Sequence, residues 1–299
     1  MRKKFLLVLL LAVAAIAEVF PNVSAQDAAA KAQQLVAQAR AALGGDKLKS
    51  LTSLSANGNL RRRMGQMDMS GEVQVDLLLP DKMLRIETMT MMGGVEVTRL
   101  EAVNGANVWT DQQTSGHGGG MVMVRRPGGD TPQGQAMQQN AVRAESARTL
   151  LGWLVATSSS FPVEYNYAGE AESPDGKADV LDVKGPNNFA ARLFLDQKSH
   201  KPLMLTYKGR KARIITSTIQ GGAPRSEEEV KKQIAEAEAK AAAEPLVEYQ
   251  VVFSDYREVG GISLPHRLTK SVENEVNEEW EITKFKINPQ LKPEKFEKK

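Results

Sequence analysis

LVEYQVVFSDYREVGGISLPHRLTKSVENEVNEEWEITKFKINP, residues 246–289, decides the fold. It holds three strand-like runs joined by tight turns, with no helix between them. Tyr249, Val251 and Phe253 alternate with Glu248, Gln250 and Ser254, and Val276, Trp280 and Ile282 alternate with Asn277, Glu279 and Glu281. Side chains of a strand point to opposite faces in turn, so a period of two means a sheet with one apolar and one wet face.

The same pattern continues outward from this stretch. From Leu51 to about Thr110 strand follows strand, broken at Gly65-Gln66, Pro80-Asp81, Gly93-Gly94 and Asn104-Gly105. Short links of Gly, Pro and Asn are hairpin chemistry, so neighbouring strands are expected antiparallel. Strands resume at 163–168, 179–184, 189–196, 203–207 and 213–220. The total is about a dozen strands and three helices. Regularly spaced helices do not separate the strands, which argues against a parallel βαβ sheet. The expected fold is mainly β with helices (α+β), a single strongly curved antiparallel sheet.

The three helices differ in character. Residues 27–43 are Ala-rich, with Leu35, Ala39 and Leu43 in one stripe and Gly44-Gly45 as a stop. Residues 141–157 are apolar nearly all round in their second half, so this helix must be covered on several sides or must itself cover an apolar opening. Residues 226–243 are polar, with Ser226 and Glu229 as a capping box, and read as an exposed insertion spanning 224–244. Residues 112–140, rich in Gly, Gln and Pro, read as a loop with a short strand near Met121–Val124. The Lys-rich tail after Asn288 reads as a frayed end.

At the N-terminus Arg2, Lys3 and Lys4 precede an apolar run from Phe5 to Ile16, and Val23-Ser24-Ala25 fits a small-residue cleavage site. Residues 1–25 therefore read as a signal peptide and 26–299 as one exported domain of 274 residues (299 − 25), expected in the periplasm. Removing Arg2, Lys3, Lys4 and Glu18 takes the net charge from +3 to +1 (3 − 3 + 1), which points to no nucleic-acid partner. Arg61-Arg62-Arg63 reads as a solvated strand end. The chain has no cysteine, which excludes disulfides, thiol chemistry and thiolate metal sites.

No catalytic set emerges. His117, His200 and His266 lie far apart, without metal-binding spacing or a triad pattern. No carboxylate pair suggests glycoside hydrolysis, and Gly116–Gly120 lacks the Lys-Ser/Thr of a phosphate loop. No enzyme activity and no cofactor are expected. Methionine alone is unusual: Met64, Met67 and Met69 cluster, as do Met89, Met91 and Met92, then Met121 and Met123. Thioethers at such spacing can bind Cu(I), and Met is equally a flexible apolar filler. Copper binding through Met64, Met67 and Met69 is therefore an alternative reading, as is a scaffold or sensor domain that docks a partner protein.

Three motifs carry a family resemblance. Leu193-Phe-Leu-Asp196 runs through a turn to Lys201-Pro202 and a further strand. Asp255-Tyr256-Arg257 leads to Gly261-Ile262-Ser263-Leu264-Pro265-His266. Trp280 to Pro289 closes with Ile-Asn-Pro. With the Ala-Leu-Gly-Gly end of the first helix, these resemble the outer-membrane lipoprotein carrier (LolA-like) superfamily, over most of the exported chain. The resemblance implies an unclosed antiparallel barrel of about eleven strands around an apolar cavity, with helices as a lid. It also implies a monomeric carrier of a lipid, lipoprotein or other acylated ligand, working with a membrane-associated lipoprotein or transporter. No cargo-handling residue of the family maps onto a position here.

Alternation and the apolar helix together give the expected ligand-binding surface. Leu150, Leu151, Trp153, Leu154 and Val155 form the lid face. Leu193, Leu195, Leu203, Leu205, Val251, Phe253, Trp280 and Ile282 face it from the sheet. A β-bulge would invert any one of these strands.

Overall fold

The computed structural model describes residues 25–65, 67–90, 94–115, 132–174, 176–211 and 245–298. The first strand-rich region forms β1 (Ser53–Met64), β2 (Met67–Leu78), β3 (Lys82–Thr90), β4 (Glu96–Asn104) and β5 (Asn107–Ser115). The second forms β6 (Glu164–Ser173), β7 (Gly176–Gly185), β8 (Phe189–Asp196) and β9 (Pro202–Gly209). The decisive C-terminal stretch supplies β10 (Val247–Val259), β11 (Ile262–Val272) and β12 (Glu275–Ile287). All pair into one antiparallel sheet of twelve strands, ordered β5-β4-β3-β2-β1-β12-β11-β10-β9-β8-β7-β6. Each hairpin places sequence neighbours side by side; the one long-range seam is β1 on β12, Leu54 opposite Ile287. The described sheet has twelve strands where the resemblance implied about eleven, and β5 and β6 are its two unpaired edges.

Bulges decide which side chains face inward. The register slips between Phe194 and Leu195, which pair with Met204 and Pro202, so Leu203 is the extra residue. Leu193, Leu195 and Leu205 are buried, whereas Leu203 is 38 % exposed. The inward assignment of Leu203 is thus overturned by the bulge, which breaks the two-residue period. A second slip sets Asn57 and Gly58 of β1 against Lys284 and Ile282 of β12. It lets Phe285 join Trp280 and Ile282 in the core despite the odd spacing.

Three helical segments lie inside or beside the sheet: α1 (Ala25–Leu43), the single turn α2 (Asp46–Lys49) and α3 (Pro132–Leu154). Helix α1 buries Ala32, Leu35, Ala39 and Leu43, the stripe expected from the sequence. It ends at Gly44 and Gly45, whose φ values of 142° and 52° suit glycine best. Helix α3 begins well before residue 141, so residues 132–140 are helix, and residues 112–115 belong to β5 rather than to a loop.

In sequence α3 connects the two edge strands, and in space it packs on the inner side of β4, β5, β8 and β9. Its approach is close at Gly152, where a Cβ would sit 2.0 Å from the Phe253 ring. At its C-terminus the carbonyl of Val155 accepts from Arg40 Nε of α1 at 3.0 Å. That cation answers both the unpaired carbonyl and the negative end of the helix.

The C-terminal tail is not frayed. Its 3-10 turn, Pro293–Phe296, lies on the other face of the sheet, where Phe296 is fully buried with Leu84 and Ala102. Trp109 Nε1 donates to the Phe296 carbonyl at 2.8 Å, and Lys295 pairs with the buried Asp76 at 2.5 Å. A single aromatic anchor overrides the polar composition of the segment, as burying a Phe contributes roughly 1.5–3 kcal/mol. The expected signal peptide up to residue 24, the strand at 213–220, the helix at 226–243 and the short strand near 121–124 lie outside the described residues.

Candidate ligand cleft on the concave face

The second half of α3 is buried on all sides, as its composition demands. Leu150, Leu151, Trp153, Leu154 and Val155 all join the main core. Trp153 is 0 % exposed and meets Phe285 edge-on, with ring centroids 5.4 Å apart. Its Nε1 has no hydrogen-bond partner among the described residues. This end of the helix is core.

One turn earlier α3 stands off the sheet. Glu145, Arg148 and Thr149 roof a partly open cleft with an enclosed volume of about 30 Å³, floored by Leu205, Val251, Phe253, Leu268 and Trp280 and walled by Lys270 and Glu278. Four residues of the expected surface thus meet in the cleft: Leu205, Val251, Phe253 and Trp280. Leu193, Leu195 and Ile282 are buried nearby in the same core but do not line it. The enclosed part has room for water and not for an acyl chain.

Beside the apolar floor runs a belt of buried charge. On β3 and β4, Arg85 stands opposite Glu101 and Glu87 opposite Arg99. Arg62 of β1 bridges Glu278 at 2.7 Å and Glu87 at 3.0 Å. Arg85 reaches Glu101, and Arg99 does so from the other side. From α3, Glu145 takes Lys270 at 3.0 Å, Arg148 at 3.1 Å and Arg85 at 3.8 Å. The roof helix is therefore fastened to the sheet by ionic contacts next to the cleft. Trp280 Nε1 donates to Glu278 at 2.8 Å, which joins the floor to the belt.

Burial and charge pull these groups in opposite directions. Burial pushes the Glu145 carboxyl up, but Lys270, Arg148 and Arg85 outweigh it and hold it well below the carboxylate range. Burial likewise raises Glu87, and Arg62, Arg85 and Arg99 bring it down. Burial disfavours the Lys270 ammonium, yet Glu145 and its neighbours leave it raised. Tyr207 is pushed up to about 12, first by burial and then by Glu145. The shifts of Glu145, Glu87 and Lys270 favour the ionised form of each at neutral pH.

An aromatic pair completes the cleft's surroundings. Tyr207 and Tyr249 stack at 5.0 Å with 6° between planes. The Arg148 guanidinium lies 3.6 Å from the Tyr207 ring centroid, and Lys270 lies 5.5 Å from that of Tyr249.

Sequence reasoning missed the belt, although its signal was present. Glu278 falls in step with Trp280 and Ile282, Lys270 with Leu268, and Arg62 with Leu60, each two residues from a buried neighbour. Arg61 and Arg63 are exposed, so only they fit the reading of a solvated strand end; Arg62 turns inward. On β3 the signal is masked, because Leu84 and Ile86 are also covered, by the tail on the other face. Of the methionines, Met69 and Met89 are buried on the inner face, where Met89 Sδ accepts from Arg62 at 3.6 Å. The side chains of Met64 and Met67 lie outside the described residues. Among the described residues no group of three His, Asp or Glu could hold a metal ion.

The single open antiparallel sheet curled around α3 gives this chain a fold similar to that of a solved outer membrane lipoprotein-sorting protein domain. Such a domain from Vibrio parahaemolyticus is similar at 12 % identity with a TM-score of 0.51, over 90 % of this chain and 97 % of that one. A LolA superfamily protein from Nitrosomonas europaea is 10 % identical with a TM-score of 0.46, over 89 % and 97 % of the two chains. A DUF1329 family protein from Desulfovibrio piger is 8 % identical with a TM-score of 0.45, over the same shares. No family model matches the sequence, and a comparison with curated proteins finds no match. At these identities the likeness is one of fold.

Proposed function

We propose that this protein is a non-enzymatic periplasmic binding or carrier protein for a lipid, a lipoprotein or another acylated ligand. The observation that carries the reading is the cleft between α3 and the concave face. Its floor is apolar, and its roof is a helix joined to the sheet by ionic contacts. A purely structural core would close such a gap with packed side chains rather than with buried ions, which are costly to desolvate. The fold shared with lipoprotein-sorting domains supports the same class of ligand, and the N-terminal export signature supports the compartment. No helix among the described residues is long and apolar enough to cross a membrane.

Because the enclosed space admits only water, loading requires the N-terminal half of α3 to lift while the Trp153 end stays packed. Each methylene then buried contributes roughly 0.8 kcal/mol, enough for a modest groove to hold a chain. Native mass spectrometry tests the reading on the delipidated exported chain, offered palmitate, phospholipid and a triacylated lipopeptide. Uptake of at least one as a discrete mass increment is expected; no uptake of any refutes the carrier reading.

A further inference from the structure

Among the described residues the belt carries one more positive charge than negative. Arg62, Arg85, Arg99, Arg148 and Lys270 contribute five positive charges, and Glu87, Glu101, Glu145 and Glu278 four negative ones. Two belt cations, Arg99 and Arg148, have an Nε without a partner among the described residues, and of these only Arg148 lines the cleft. Its one ion pair among the described residues is through Nη1 to a Glu145 carboxylate already shared with Lys270 and Arg85. Its Nε is buried with no hydrogen-bond partner among the described residues. Stacking on Tyr207 at 3.6 Å fixes the plane of the guanidinium, as arginine on an aromatic face does. A guanidinium held in place with a donor unspent, at the edge of an apolar floor, suits a carboxylate or phosphate oxygen.

Resting on the lipid-binding reading above, we infer that the cleft selects amphiphiles with an anionic head, seated on Arg148 with Lys270 beside it. The chain then runs over Leu205, Val251 and Phe253. The incoming oxyanion meets the free donor of Arg148 and neutralises the surplus charge of the belt. A neutral head leaves both unmet, and a cationic head meets repulsion.

Four probes with the same sixteen-carbon chain test this: palmitate, hexadecyl phosphate, hexadecanol and hexadecyltrimethylammonium, each below its micellar concentration. Displacement of an environment-sensitive fluorophore from the exported chain reads the affinities. Palmitate and hexadecyl phosphate are expected to bind at least about tenfold tighter than hexadecanol, with the cationic probe weakest; tenfold is about 1.4 kcal/mol. Inorganic phosphate alone is expected to displace nothing, since the head without the chain lacks the apolar floor; displacement by phosphate would show a free-anion site and overturn the inference. Arg148→Gln should erase the preference for the anionic probes over hexadecanol, and Arg148→Lys should recover part of it. Glu145→Gln, which removes a competing carboxylate, should widen the preference, and this variant decides if Arg148→Gln does not fold. Binding of all four probes alike by the wild type, or an unaltered preference in the Arg148 or Glu145 variants, overturns the inference and leaves the carrier reading standing. Binding of none overturns both.

Discussion

Trp153→Ala measures whether α3 is part of a permanent core. A buried indole removes about 150–250 Å² from water, which at ~25 cal/mol/Å² corresponds to about 4–6 kcal/mol. That is an upper bound, because the unfolded chain already hides part of this area; truncations of large aromatics cost about 3–5 kcal/mol. Against this, the Trp153 Nε1 is buried without a partner, and its removal returns part of an unpaired-donor cost of about 1–3 kcal/mol. The net expectation is a loss of about 3 kcal/mol. For a domain of this size that lowers the melting temperature by roughly 6–12 °C. Urea unfolding should show a lower midpoint with an unchanged slope. Trp153→Phe, which keeps a ring against Phe285 and removes the donor, should cost less than about 1.5 kcal/mol. Since Trp153 does not line the cleft, palmitate retention well below the transition should change little. A stability loss under about 1 kcal/mol would refute the reasoning, and so would retention that collapses while the melting temperature holds. Either result would mean that the Trp153 end of α3 is lifted in the free protein.

Gly152→Ala gains about 1 kcal/mol of helix propensity but drives a Cβ into the Phe253 ring at 2.0 Å, so a net loss of up to about 2 kcal/mol is expected. Adding Phe253→Leu should recover stability in a double-mutant cycle, and simple additivity would show that helix and strand do not touch there. The lowered carboxyls of Glu145 and Glu87 predict acid sensitivity. A depressed folded pKa stabilises above the unfolded value, here near 4.5, and that contribution is lost as pH falls through the folded values. Glu145→Gln should accordingly flatten the stability profile below about pH 4.5, and an unchanged profile would show that Glu145 is not ionised in the fold. Phe296→Ala should cost about 3–5 kcal/mol and expose Trp109, seen as a red shift in tryptophan emission; an unshifted spectrum would mean that the tail does not cover Trp109 in solution.

The strands and their antiparallel pairing could be read directly from the sequence, because alternation and hairpin turns are local. Residues 189–196 form β8 with the expected bounds, and Ile262 to Ile287 folds as two strands around Glu273-Asn274. The apolar character of the segment at 149–156 also stated its burial correctly, since such a helix has no face to give to water. Three matters depended on contacts distant in sequence. Leu203 faces outward because it is the extra residue of a bulge in β9, and a bulge leaves no mark in a hydrophobic pattern. The tail docks because Phe296 finds Leu84, Ala102 and Trp109, some two hundred residues away. The charged belt exists because β1, β3, β4, β11, β12 and α3 bring nine ionisable groups to one level of the concave face. Alternation sets Arg62, Lys270 and Glu278 in step with buried neighbours, but no local pattern supplies the opposite charges that meet them. Composition carries the preference of a charge for water, and only the curled sheet places opposite charges close enough to replace that water.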